Sequence, residues 1–231
     1  MTRLDPSLDD DDEPETPDHP EEPDVPEPRG PEPKEPGDNR TLSSPINELE
    51  SRLLRQRKVL IFGAITDKVA RDVTGRLLAM ANEGEGPIDV FINSPGGHVE
   101  SGDTIHDMIR FVREIVPVRI IGTGWVASAG ALIYLAGERK HRVCLPNTRF
   151  LLHQPMGGVR GPATDIDIEA REIIKMRERI NHIIARETGQ TYTKVADDTD
   201  RNYWMSAEEA VAYGMCDRII ESPKELGNGV R

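Results

Sequence analysis

Two cysteines in 231 residues, Cys144 and Cys216, are too few and too far apart for a disulfide framework, and neither stands in a metal-binding spacing. Both lie in apolar, strand-like runs and are read as buried reduced thiols. No apolar run approaches the ~20 residues that a membrane-spanning helix needs. The first residues lack a cationic start followed by an apolar core, and they lack the Arg-rich, acid-poor character of a transit peptide. A cytoplasmic protein that touches no membrane is the expectation.

Residues 1–40 also have almost nothing large and apolar, although they hold ten of the eighteen prolines. Their fifteen Asp/Glu against four Lys/Arg give a net charge of −11 out of the whole chain's −12. Such a segment cannot bury enough surface to offset the entropy of ordering, so 1–40 is read as a disordered, solvated acidic tail. With the acidity confined there, residues 41–231 are almost neutral and show no basic footprint for nucleic acid. These ~190 residues suffice for one domain with a full core.

What that domain has in abundance is alternation. Pro45 opens an amphipathic helix carrying Ile46, Leu49, Leu53 and Leu54. Val59 to Phe62 reads as a strand, and Thr66-Asp67 opens a helix with Val69, Val73, Leu77 and Met80 at helical spacing. Ile88 to Ile92 is the next strand and runs into the turn Asn93-Ser94-Pro95-Gly96-Gly97, followed by a helix with Ile105, Ile109 and Val112. Pro117 to Ile121 reads as a third strand broken by Gly122 and Gly124; Ser128 then starts a helix running from Ala129 to Ala136.

Arg142 to Leu145 and Arg149 to Leu152 read as further strands, the latter ending at His153. The Gly- and Pro-rich stretch 154–162 is strand-like or irregular, and Thr164 is expected to cap a long helix that closes near Gly189. A short helix, a loop from Asp197 to Trp204, the box Ser206-x-x-Glu209 before a helix ended by Gly214, and a strand from Met215 to Ile220 complete the chain. Strands alternating with helices imply a mainly parallel α/β sheet, whose ligands gather at the carboxyl ends of the strands. Asn93 to Gly97, Gly124 to Ser128 and His153 all occupy such ends.

A helix start offers free N–H groups to a developing negative charge, which suits a serine nucleophile; serine is equally a preferred N-cap, so Ser128 alone leaves both readings open. Of the six histidines only His153 ends an apolar strand, where a general base could stand. The Gly96-Gly97 turn is able to bring a backbone N–H close to an oxyanion.

Together these pieces resemble the proteolytic subunits of the ATP-dependent Clp protease, the S14 family of serine peptidases. The resemblance rests on Ser51-Arg52-Leu53-Leu54, Ile92 to Gly97, Ala127 to Ala131, Cys144-Leu145-Pro146-Asn147, His153-Gln154-Pro155, Ala163 to Ile166, Ala170 to Ile173 and Ser206-Ala207, in the family's order over roughly residues 48–220. It implies the ClpP/crotonase-like α/β fold of repeated β-β-α and βα units with a protruding handle, formed by 156–162 and the long helix. It implies Ser128 as nucleophile, His153 as base, and the Gly97 and Ala129 N–H groups as oxyanion hole. It also implies stacked seven-membered rings, an unfoldase ATPase of the AAA+ type that feeds unfolded polypeptide, and no metal or organic cofactor.

The chain departs from the pattern at three places. Counting forward from His153 without gaps, the family's triad aspartate falls on Asn202, an amide that accepts a hydrogen bond but cannot stabilise imidazolium by charge; in one Ser-His-Asp protease the same change lowers kcat about 10⁴-fold. Asp200 or Asp198 are alternatives, but Asp200-Arg201 looks like the family's ring-to-ring pair, with Arg171 as a further contact. Trp125-Val126 replaces small or polar residues before Ala127-Ser128, and packing beneath the sheet is the expectation for them. Finally, acidic Pro-rich sequence stands where axial loops belong, and Asp89 takes the place of an aromatic of the ATPase-docking groove. Weak or conditional peptidase activity follows. The competing readings are a regulatory ring subunit that supports an active paralogue, and a hydratase or isomerase of the crotonase group, against which the Ser-His pair and the handle argue.

Overall fold

The computed structural model describes residues 45–226, with side chains from residue 48; the acidic tail expected at 1–40 lies outside the described residues. Helix α1 (Pro45–Arg55) precedes β1 (Lys58–Phe62), and α2 (Asp67–Glu83) connects it to β2 (Ile88–Ser94). Helix α3 (Val99–Val112) then leads to β3 (Val118–Ala127), and α4 (Ala129–Tyr134) follows after a single residue, Ser128. Strands β4 (Arg142–Cys144) and β5 (Arg149–Leu152), the long α5 (Ala163–Thr188), α6 (Tyr192–Asp198), β6 (Tyr203–Met205), α7 (Ala207–Tyr213) and β7 (Arg218–Ile219) close the described chain.

The seven strands form one sheet in which β1-β2-β3-β4-β7 run side by side, while β5 pairs with β3 and with β6. Every pairing is parallel except β5 with β6. The crossover helices make the core: Val73, Leu77 and Met80 of α2 and Ile105, Ile109 and Val112 of α3 are buried with Val59, Ile61, Val90 and Ile92 of the strands. All six residues of α4 are buried. Its Ala- and Gly-rich sequence is what permits this: a Cβ on Gly130 would lie 3.1 Å from the Ser94 Cβ, and one on Gly102 of α3 3.1 Å from the Ala129 Cβ.

Helix α5 differs in kind. Only Asn181, Ile184 and Thr188, near its C-terminal end, are buried, so most of its 26 residues, about 39 Å at helical rise, project from the body. Ile166, Ile168 and Ile174 are exposed along it. This is the handle.

Several boundaries move from the sequence reading. Glycine does not break β3, which runs on through Gly122 and Gly124 to Ala127. The long helix starts at Ala163 with Pro162 at its cap position, so Thr164 lies inside the first turn and caps nothing. The loop expected from Asp197 to Trp204 contains β6, and the last strand shrinks to two residues. Val126 is packed beneath the sheet, but Trp125 is 52% exposed and stands edge-on to Trp204 at 5.6 Å between ring centres.

Candidate active site

Strand β3 is divided in function. Ile120 to Gly122 pair with β4, whereas Trp125 to Ala127 pair with β5, and the register against β2 shifts between Ile92 and Ser94. The offset is made at Gly124, whose φ of +58 suits glycine, and it is splinted by Asn93, whose Oδ1 accepts the Trp125 N–H at 3.0 Å. A Cβ on Gly124 would stand 2.8 Å from that oxygen. The kink directs the carboxyl end of β3 toward β5, and Ser128 N–H extends that ladder by donating to Leu151 O at 3.0 Å.

Ser128 follows with φ 54 and ψ −122, one of two non-glycine residues with positive φ among those described. This is a sparsely populated region for an L-residue, and strain of this kind persists only where the surroundings over-determine it. The side chain does not cap α4, and its Oγ has no hydrogen-bond partner among the described residues. The plain N-cap reading therefore fails, and the hydroxyl is left free beside the start of a buried helix.

The glycine turn is packed against it. A Cβ on Gly96, at φ +100, would fall 2.5 Å from the Ser128 Cβ, and one on Gly97, at φ +153, would fall 2.3 Å from the Ile65 carbonyl oxygen. Neither position tolerates a side chain. The turn is pinned by Ile65 N–H to Gly96 O (2.9 Å), His98 N–H to Ile65 O (3.0 Å) and Gly96 N–H to Ser94 Oγ (3.1 Å). These bonds engage the residues on either side and leave the Gly97 N–H, like that of Ala129 at the first position of α4, without an acceptor among the described residues. His98 is held by Asp67 and Glu100, each at 3.1 Å, and the Ser101 O–H together with His98 keeps the Asp67 carboxyl below its ordinary range.

His153 leaves β5 and lines, with Ser128, an apolar cavity of ≈ 30 Å³ walled by Val99, Leu132, Leu152 and Ile180, large enough for one water. No hydrogen bond joins Ser128 to His153 here. His153 Nδ1 lies 2.6 Å from its neighbour's carbonyl, Gln154 O. Nδ1 must be the donor to a carbonyl, so Nε2 is left as the acceptor, which is the tautomer a general base requires.

Asn202 faces a second cavity of ≈ 570 Å³, which His153 also lines, on the way to Asp200 and Arg201. It makes no hydrogen bond to His153. Its loop is nonetheless tied to the histidine's strand, because Gln154 N–H donates to Thr199 O (2.6 Å) and Gln154 Nε2 to Asp200 O (2.7 Å). Asp198 is removed from the candidates, since Lys194 and the Tyr213 hydroxyl hold its carboxylate at 2.8 and 2.7 Å. Asp200 accepts from Arg177 at 3.3 Å, Arg201 is nearly fully exposed 3.9 Å from Asp200, and Arg171 pairs with Asp167 at 2.7 Å. A third cavity, ≈ 340 Å³, runs from Gly97 and Val99 along 155–159 to Ile173 and Met176 of α5.

Against this geometry stands the comparison with known proteins: the family model described as Clp protease matches residues 43–223. The chain belongs to the Clp protease family. The ATP-dependent Clp protease proteolytic subunit 2 of Gluconobacter oxydans is 76% identical over 196 residues, 85% of this chain and 87% of that one. Subunit 3 of Rhizobium etli is 54% identical over 193 residues, 83% of this chain and 98% of that one. Among solved structures, ClpP1 of Listeria monocytogenes shares 50% identity at a TM-score of 0.69, covering 78% of this chain and 99% of that one. A mutant of that ClpP1 with one asparagine changed to aspartate gives 51% and 0.72 over the same shares.

This Clp protease chain is thus a proteolytic subunit and a serine-type endopeptidase with the ClpP fold. With membership come, in general terms, ring assembly and work with Clp ATPases. No helix among the described residues is long and apolar enough to cross a membrane. Sequence reasoning missed two positioning residues, Asn93 and Gln154. Both lie inside recognised pieces, but their bonds reach 32 and 46 positions along the chain, which no local pattern reveals.

Proposed function

We propose that Ser128 Oγ is the peptidase nucleophile, that His153 Nε2 takes its proton, and that the Gly97 and Ala129 N–H groups receive the oxyanion. The observation that carries this reading is the strained backbone of Ser128, which presents an unpartnered hydroxyl beside two free N–H groups and in one cavity with His153. A peptide strand is expected to lie along 155–159 by main-chain pairing, with its side chains entering the cavity toward Ile173 and Met176.

Asn202 is assigned the third position. The Gln154 carbonyl holds the Nδ1 proton in this state, so the histidine keeps its tautomer without a carboxylate. What it loses is charge stabilisation of the imidazolium, and the protein is accordingly a weak or conditional peptidase whose Ser128–His153 hydrogen bond closes on assembly. Asp200 is the alternative partner. The exposed isoleucines of α5 support a handle that a second ring covers, giving stacked heptameric rings, with Arg171, Asp200 and Arg201 at the ring contact. An AAA+ unfoldase delivers unfolded polypeptide, in the cytoplasm, and a ClpP paralogue completes the particle if the rings are mixed.

Hydrolysis of a short fluorogenic peptide tests the assignment, with the protein alone and mixed with a paralogue. The Ser128→Ala variant should be inactive and Asn202→Asp should exceed wild type. An unchanged rate in Asn202→Asp together with a loss in Asp200→Asn moves the third role to Asp200. Activity only from the paralogue, unaffected by Ser128→Ala, makes the chain a regulatory subunit.

A further inference from the structure

Cys144 ends β4, and Cys216 lies two residues ahead of β7; 72 positions apart in sequence, they meet with their sulfurs 3.7 Å apart. Both are completely buried. Around them the core is unusually polar. Arg142, two residues before Cys144, is also completely buried, and its Nη2 donates to the carbonyls of Glu187 at 2.6 Å and Gly214 at 3.5 Å. Its Nε and Nη1 are buried without any acceptor. Orphaned guanidinium donors inside a protein are costly and call for an anion. Tyr134 spends its proton on Val143 O at 2.9 Å. No carboxylate side chain is hydrogen-bonded to Arg142, and its charge acts on Cys216 as well as on Glu187.

We propose that Cys144 and Cys216 are a dithiol site that a small peroxide converts to an intramolecular disulfide, with Cys216 the sulfur oxidised first. The Cys216 thiolate attacks one peroxide oxygen, the O–O bond breaks, and the departing hydroxide takes a proton to become water. The resulting sulfenic acid is displaced at sulfur by Cys144, whose proton leaves with the hydroxyl as a second water. Two thiols lose two electrons and two protons, and hydrogen peroxide becomes two waters.

The order of the two sulfurs follows from their surroundings. The contact with Cys144 holds the Cys216 thiol down with help from the Arg142 charge, while that same contact and burial push the Cys144 thiol up. Access comes from the weakness of the neighbouring element: β7 is two residues long and pairs only with β4, a place where local opening is easy. The sulfurs then need to close by about 1.7 Å to reach disulfide length.

The test uses the full chain treated with hydrogen peroxide, then denatured, alkylated and weighed intact. Two alkylated thiols in the untreated protein should fall to none, with a cross-linked Cys144–Cys216 peptide on non-reducing digestion and full recovery on reduction. The Cys144→Ser variant should accumulate a sulfenic acid at Cys216 that dimedone captures, at least ~10-fold more than Cys216→Ser shows at Cys144. Retention of both thiols in wild type overturns the site. Equal dimedone capture in the two variants overturns the order of attack.

Discussion

Ser128 is held in a conformation that an L-residue rarely adopts, and the packing that holds it is specific: Ala127 and Ser128 are met by Gly96 on one side, and Leu151 pairs with Ser128 on the other. A methyl group at Gly96 would collide with the Ser128 Cβ at 2.5 Å. Gly96→Ala should therefore lower peptide hydrolysis by about 100-fold or more, the scale of a 1 Å misplacement. Thermal melting should show a separate stability loss of about 1–3 kcal/mol for the strained backbone. Hydrolysis within a few-fold of wild type would show that the turn does not position the serine. His106 makes a different kind of prediction. It is buried on α3 with Nε2 unpartnered; burial pushes its pKa below 6.5 against the pull of Asp107 and Glu187, with Arg110 acting in the same sense as burial. Below pH ~6.5 the unfolded chain then binds the proton that the native state refuses, so stability is lost as pH falls from about 7 toward 5. A His106→Gln variant should lack that part of the slope. Parallel melting curves for the two proteins across this range would contradict the assignment.

Legibility at the level of elements depended on whether the determining contacts were local. Helix α7 could be read because Ser206 and Glu209 form a reciprocal box and Gly214 ends the helix at φ +93, all within nine residues of sequence. Removing the cap in Ser206→Ala should cost about 1 kcal/mol and lower Tm by ~2–4 °C, with activity per folded molecule unchanged. Strand β6 could not be read, since three residues carry no periodicity and the strand exists only through its antiparallel pairing with β5. The run of β3 through its glycines was hidden for the same reason: Gly124 would end an isolated strand, but Asn93 from β2 and Arg149 to Leu151 from β5 carry the backbone past it. Thr164 looked like a cap because threonine suits that role, yet Pro162 sets the helix start two residues earlier. The pieces proposed to be catalytic were visible as motifs, whereas the part played by Gln154 within its motif was not, because its work is to fasten the 199–202 loop to β5.

Among the described residues, a packed α/β body carries a handle whose exposed isoleucines have nothing to cover them. Exposed Ile168 and Ile174 are the places where an added charge should be felt only in the assembly. Ile174→Glu should shift particles from double to single rings in sedimentation while leaving the monomer's secondary structure intact; unchanged double rings would remove α5 from the ring contact. The acidic segment supplies −11 of the net −12 charge and leaves the peptidase body near neutrality, so the function was readable from the body alone. The proposed chemistry turns on one atom, the Ser128 Oγ. Its most direct test is fluorophosphonate labelling of the protein, alone and with a paralogue, followed by peptide mapping. A single adduct is expected on Ser128, absent in Ser128→Ala and strongly reduced in His153→Ala. An adduct elsewhere, or none in any assembly, would remove Ser128 as the nucleophile.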